Sequence, residues 1–227
     1  ACACRPSGGG VPLPARWFPG PRRRGPPLTN ASWGSPRRAP APLIGITGSA
    51  GKTTTTSLVG CMGQLAGRRT WVGGNIGRPL LTDLAEMSPD DLVIMELSSF
   101  QLELWDGLSP VIAAVLNITP NHLDRHKTMD RYTAAKANIL RFQGPDGVAV
   151  LSADDSGALA TRAFVRGRLR LFSRREPVDD GAYVADGHIW LSGPGGRRAL
   201  CPVSAILPRR GHNVLNALAA AALAEAV

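Results

Sequence analysis

The stretch LIGITGSAGKTTTTS, Leu43 to Ser57, constrains this chain more than any other. Its first five residues, Leu43-Ile44-Gly45-Ile46-Thr47, make an apolar run of the length expected for a short buried strand. Gly48-Ser49-Ala50-Gly51-Lys52-Thr53 follows directly, and a helical pattern begins at once. Strand, glycine turn, Lys-Thr and helix is the layout of a phosphate-binding loop. Glycines let main-chain N–H groups close around phosphate oxygens, and the new helix adds its partly positive N-terminus. In such a loop Lys52 reaches the terminal phosphates and the Thr53 hydroxyl faces a magnesium ion. The residue five before Gly51 is Ile46, so the pattern is the shorter G-x-x-G-K-T. A plain strand–helix turn is the competing reading. The apolar strand ahead and the threonine run behind argue against it.

Two more apolar runs end in polar groups. Leu92-Val93-Ile94-Met95 runs into Glu96-Leu97-Ser98-Ser99-Phe100-Gln101. A carboxylate at the end of a buried parallel strand lies where α/β sheets place their ligands, and Glu96 suits magnesium, a hard cation. Its bland alternative is a Glu paired with a nearby base. Val111 to Leu116 runs into Asn117-Ile118-Thr119-Pro120-Asn121-His122-Leu123-Asp124. A lone His is more often structural. His122 gains weight because three strand ends carry ligand-type groups along one expected sheet edge. Thr70-Trp71-Val72 reads as a further strand, followed by Gly73-Gly74-Asn75-Ile76-Gly77. There Asn75 offers an amide to a ligand, although, taken alone, a glycine-rich turn explains the run better.

The first helix should end at Gln64 to Gly67, with Gly67 as its cap. Pro79 to Met87 and Tyr132 to Phe142 also read as helices, the second carrying Lys136, whose default reading is a solvated side chain. Strands are expected at Gly147 to Asp154 and Arg168 to Ser173. Tyr183 to Leu191 reads as a hairpin turning at Asp186-Gly187, and Arg197 to Ile206 is a candidate third antiparallel strand. An Ala-rich helix starts at Gly211-His212-Asn213-Val214-Leu215-Asn216 and reaches the last residue uncapped. The expected fold is α/β: a mostly parallel sheet flanked by helices, with a small antiparallel β subdomain near 181–206.

The formal charge of +9 suggests a nucleic-acid partner until it is divided. Residues 1–42 hold seven Arg and no Asp, Glu or Lys, which leaves 19 basic against 17 acidic groups in 43–227. The basic excess therefore belongs to the leader. Ten of the 19 Pro also fall there, with Gly8-Gly9-Gly10 and Arg22-Arg23-Arg24, so residues 1–42 are expected to be disordered. A basic nucleic-acid arm is one reading of that leader; an artefact or fragment end, with no initiating Met, is the stronger one. No nucleic acid is expected as a partner of the body. No apolar run is long enough to span a membrane, so none is expected there either. The four cysteines form no C-x-x-C pair, which indicates neither zinc nor a disulfide framework and suits a cytoplasmic protein.

Taken in order, GITGSAGKTTTT, GGNIG, MELSSFQLE, NITPNHLDRH, YTAAKANIL and GHNVLNALAA resemble the central ATP-binding domain of the Mur ligase family over residues 43–227. MELSSFQLE with GGNIG is most similar to the branch that joins D-glutamate to UDP-N-acetylmuramoyl-L-alanine through an acyl phosphate. Folylpolyglutamate synthase, another Mur-type ligase, shares the phosphate loop but is not expected to show this Ser-Ser-Phe-Gln-Leu-Glu run. The resemblance implies ATP and Mg2+ as cofactors. It implies that Gly48, Ser49, Ala50, Gly51, Lys52, Thr53 and Thr54 hold ATP phosphates and one magnesium, with Asn213 and Asn216 near adenine. It places Thr53, Glu96, His122 and a carbamylated Lys136 at magnesium, and Asn75, Ser98 and His122 at the nucleotide-sugar substrate. Lys52, Glu96, His122 and Lys136 are the implied catalytic set, and a monomer is expected. Asn121 departs from the Asp that many members carry before the His. The family has three domains. The expectation is that 43–227 is the central one, cut short at its C-terminal end, and that the chain alone is inactive or a nucleotide-binding remnant.

Overall fold

A computed structural model describes residues 41–76, 80–105, 107, 109–206 and 211–227. The expectations for the leader, apart from its last two residues, and for Gly77 and Pro79 fall outside the described residues.

Apolar runs covered on both faces must pack between two layers of helices. β1 (Leu43–Thr47), β4 (Ile112–Val115) and β5 (Val148–Ser152) are buried at every position. They belong to a nine-stranded sheet with β2 (Thr70–Gly74), β3 (Leu92–Glu96), β6 (Arg168–Ser173), β7 (Gly181–Ala185), β8 (His188–Gly193) and β9 (Gly196–Pro202). The strand order is β2-β3-β1-β4-β5-β6-β7-β8-β9. All pairings from β2 to β7 are parallel; β7-β8 and β8-β9 are antiparallel. Ile46 lies opposite both Glu96 and Ala114, which puts the ends of β1, β3 and β4 side by side.

Successive strand residues point to opposite faces, and the core divides accordingly. Ile44, Ile46, Ile112, Ala114, Val148 and Val150 pack with α1 (Lys52–Leu65) and α6 (Gly211–Ala224). Ala113, Val115, Ala149 and Leu151 pack on the other face with α2 (Ser99–Glu103), α4 (Met129–Arg141) and α5 (Ser156–Ala160). A short α3 (Leu123–His126) leads into α4.

Local chemistry sets the ends. Gly67, at φ 77°, donates its N–H to Gln64 O, and Arg68 donates to Gly63 O, the double bond that closes a helix at a left-handed glycine. Thr128 caps α4 by accepting the Arg131 N–H at 3.2 Å. The helix expected over Pro79 to Met87 is instead one stretch of 3₁₀ helix, Leu81–Glu86, and Met87 is extended. Pro89 disfavours helical backbone at Ser88 and so stops the segment early. The hairpin turns at Asp186 (φ 49°) and Gly187 (φ 70°), as Asp-Gly predicts. The antiparallel strands continue the main sheet through β6-β7 pairing. α6 ends at Ala224, short of the last residue. Cys201 is a buried free thiol. Cys2 and Cys4 lie outside the described residues, so the reading of the cysteine pattern falls partly outside them too.

Candidate functional site

The ends of β1, β3 and β4 meet the start of α1. Gly51 is the N-cap of α1 at φ 83°, and no side chain caps that helix. The first helical N–H groups have no partner within a helix, so an uncapped start presents them, with the positive end of the dipole, to an anion. Gly51 also packs against Asn216 of α6 so closely that a Cβ would collide with its amide oxygen.

Two lysines converge here. Lys52 Nζ and Lys136 Nζ each donate to the Gly48 carbonyl, both at 3.0 Å. Lys136 also lies 3.4 Å from Thr47 Oγ1 and 4.7 Å from the centre of the Tyr132 ring, one helical turn earlier on α4. It is only 1% exposed. Burial pushes its ammonium down from 10.5 to about 7, and the charge of Lys52 adds to the shift. Lys136 is therefore no solvated lysine: near neutral pH a good share of it is free amine, the form that reacts with CO2.

Glu96 is 2% exposed. Its carboxylate accepts from Thr53 Oγ1 at 2.7 Å and from Asn75 Nδ2 at 3.0 Å. Among the described residues no basic side chain pairs with it, so the paired-Glu alternative fails. A buried carboxylate held by neutral donors, beside a hydroxyl at a phosphate loop, is a donor set of hard oxygens that fits magnesium. The described residues contain no group of three or more His, Cys, Asp or Glu placed to hold a metal. Thr53 and Glu96 are the donors that the described residues bring together for magnesium.

His122 is exposed, in a left-handed conformation (φ 53°), with its ring edge-on to Phe100 at 5.1 Å and to Tyr132 at 6.5 Å. Ser98 caps α2: its hydroxyl accepts the Gln101 N–H at 3.3 Å, and Gln101 Oε1 accepts from the Ser98 N–H at 2.9 Å. Asn213 and Asn216 lie three apart on α6, hence on one helix face; Asn216 is buried and Asn213 half-buried. Thr54 is exposed in the first turn of α1. Asn216 lines a cavity of about 130 Å3 with Asn117, Asp154, Phe172, Arg174 and Leu215.

The sequence reading assigned no role to Tyr132, Asn117 or His126. Ser49 does not turn into the loop; its hydroxyl donates to Thr119 O and accepts the Thr119 N–H, each at 3.0 Å. With that hydrogen committed, Tyr132 OH, 3.1 Å away, must donate to Ser49. Asn117 contacts Ser49 and Ala50. His126 is buried, with Nε2 2.9 Å from Ser99 Oγ and its ring stacked on Phe100. Only the buried positions of Tyr132 and His126 in otherwise polar segments signal these roles, and burial is not visible in a single sequence.

The sequence and the fold have known counterparts. The Mur ligase middle domain matches residues 46–224. The chain belongs to the Mur ligase family. It is 46% identical over 162 residues to a UDP-N-acetylmuramoylalanine–D-glutamate ligase of Pelotomaculum thermopropionicum, covering 71% of this chain and 36% of that protein. The chain thus spans about a third of the length of the curated relatives it matches. In fold it is similar to a UDP-N-acetylmuramoyl-L-alanyl-D-glutamate–2,6-diaminopimelate ligase, with a TM-score of 0.65 at 24% identity over 80% of this chain and 42% of the other. It is also similar to a MurF ligase of Thermotoga maritima solved with ADP, with a TM-score of 0.57 at 19% identity over 79% and 44%. No described helix is long and apolar enough to cross a membrane.

Proposed function

We propose that this chain is the ATP-binding central domain of a ligase that joins D-glutamate to UDP-N-acetylmuramoyl-L-alanine in peptidoglycan precursor synthesis. The observation that carries the reading is the convergence of Lys52 and Lys136 on the Gly48 carbonyl, beside a buried Glu96 held by Thr53 and Asn75. The name of the Pelotomaculum relative and the ADP bound by the Thermotoga ligase support it.

The carboxylate of the nucleotide-sugar substrate attacks the γ-phosphorus of ATP. A C–O–P bond forms, and ADP leaves with the electrons of the broken P–O bond. The D-glutamate amine then adds to the acyl carbon and gives up a proton, and the tetrahedral intermediate expels phosphate with the electrons of the broken C–O bond to leave an amide. Lys52 leaves the Gly48 carbonyl to pair with the terminal phosphates, and the open start of α1 receives their oxygens. This is electrostatic stabilisation of a transferring phosphoryl group. Thr53, Glu96, His122 and a carbamylated Lys136 would hold magnesium, which supplies charge neutralisation at those phosphates. The Lys136 amine forms its carbamate by adding to CO2 and releasing a proton, which turns a cation into an oxygen ligand. Asn75, Ser98 and His122 face the nucleotide-sugar, and Asn213 and Asn216 face the base. The reaction is cytoplasmic and the ligase monomeric.

The test is phosphate release from ATP, measured in the ligase that contains this domain. It should require both UDP-N-acetylmuramoyl-L-alanine and D-glutamate. Nucleotide binding without release that depends on both substrates would reduce the chain to a nucleotide-binding module and overturn the ligase reading.

A further inference from the structure

β1 and β4 are paired in parallel from Ile44–Ile112 to Thr47–Val115. The ladder continues one step past each strand: Leu116 donates to Thr47 O at 2.9 Å and Ser49 donates to Asn117 O at 2.9 Å. Beyond that the two chains part, and Ala50 would lose its partner. The Asn117 side chain replaces it. Its Oδ1 accepts the Ala50 N–H at 2.8 Å, and its Nδ2 donates to Ala50 O at 3.1 Å. A side-chain amide carries the same donor and acceptor as a peptide group, so Asn117 adds one artificial rung to the ladder. Ala50 is thereby held through both of its flanking peptide groups, one residue before the left-handed Gly51.

The clamp is itself anchored. The next residue, Ile118, donates its N–H to Asp155 Oδ1 at 3.0 Å, and the same oxygen caps α5 through the Ala158 N–H at 2.8 Å. Thr119 then holds the Ser49 hydroxyl from both its N–H and its carbonyl. Residues 117–119 therefore grip the Ser49-Ala50 turn at several points, and the same segment leads on to His122.

We infer that Asn117 is the positioning residue of the phosphate loop: its amide fixes Ala50 and so aims the open N–H groups of α1 at the nucleotide phosphates. No other side chain does both jobs at that reach. Asp lacks the donor, Ser is too short, and Gln carries its amide one methylene too far. The inference rests on the nucleotide reading above. Preorganised donors bind an anion without the cost of ordering them, so loss of the clamp should weaken phosphate binding in particular.

The experiment compares ADP, in the presence of magnesium, with adenosine as ligands of the 227-residue chain, by titration calorimetry alongside melting temperature. Asn117→Ala should lower ADP affinity tenfold or more while adenosine changes less than twofold and the melting temperature falls little. Asn117→Gln, which keeps a neutral amide and is the safer variant for folding, should show the same selective loss at several-fold. Equal losses for ADP and adenosine would mean that Asn117 touches the base from its place in the cavity beside Asn216, and would overturn the inference. Unchanged ADP affinity in both variants would overturn it too. Absence of ADP binding by the unsubstituted chain would instead remove the nucleotide reading, and this inference with it.

Discussion

The two ends of the sheet are built on opposite logics. Where β1, β3 and β4 end, side chains are buried and polar, and their bonds cross long stretches of chain. Thr53 reaches Glu96 over 43 residues, Thr47 reaches Leu97 O over 50, Ala50 reaches Asn117 over 67, and Lys136 reaches Gly48 over 88. In β7–β9 the partners are neighbours in sequence, joined by tight turns, and the arginines of β9 point into solvent or half into it. Buried polar groups are costly unless satisfied, so the first region places Thr47, Glu96 and Lys136 out of water only because segments distant in the chain supply their partners. The second region can be formed almost anywhere a hairpin sequence occurs. A site that must hold charge away from water needs partners from several strands, whereas a sheet extension needs only alternation and a turn.

The sharpest way to break this comparison is at Lys52. Lys52→Ala removes the cation proposed to pair with the terminal phosphates, and turnover of the ligase should fall below detection. Activity within tenfold of the parent would overturn the phosphate-loop assignment. Lys136 gives the next largest effect, and it is read in stability. Its folded-state affinity for protons is depressed to about 7 from 10.5. Between those values the unfolded chain binds more protons, so stability rises with pH across this window. Below pH 7 the full cost of burying the ammonium is present, on the order of 5 kcal/mol for a shift of that size. In buffer stripped of CO2, Lys136→Met should therefore be more stable relative to wild type at pH 6 than at pH 10. The gap should shrink as pH rises through 7 to 10.5. A gap that stays constant in urea titrations at the two pH values would mean that Lys136 is not held as described. The equivalent change in the antiparallel region, at exposed Arg197, has no such burial to relieve.

This contrast also governs what the residues revealed on their own. The strand ends were legible because apolar runs and the polar residues behind them are local features. β1 matches its expected bounds, Leu43–Thr47, and β3 carries Glu96 at its end as expected. The hairpin was legible from Asp186-Gly187, whose left-handed backbone is a matter of two residues. The short α2, α3 and α5 were not, because helices of four or five residues exist only where caps and packing hold them. Lys136 read as a solvated helix residue by periodicity, and only the resemblance to Mur ligases pointed to it. Its burial depends on Gly48, Thr47 and Tyr132 closing around it. Asn117 escaped notice for the same reason: its role lies in a contact with Ala50 that no window of sequence contains.

One substitution made in both regions separates backbone strain from crowding. Gly51 and Gly187 have similar left-handed backbones, at φ 83° and 70°. An alanine in that conformation costs roughly 1–2 kcal/mol wherever it stands. At Gly51 the new Cβ also meets the Asn216 amide, so Gly51→Ala must push α6 or the loop aside. Its stability loss should exceed the strain alone, and ADP affinity should fall about tenfold as the start of α1 shifts. At Gly187 nothing lies within 4 Å of the added carbon. Gly187→Ala should therefore cost only the strain, on the order of 1 kcal/mol, with ADP affinity unchanged within twofold. Paired urea denaturation and ADP titration of the two variants measure the difference. If Gly187→Ala also weakened ADP binding, the antiparallel extension would have to be coupled to the phosphate loop through β6 and α6, and the division between a scaffold end and a chemical end of the sheet would fail.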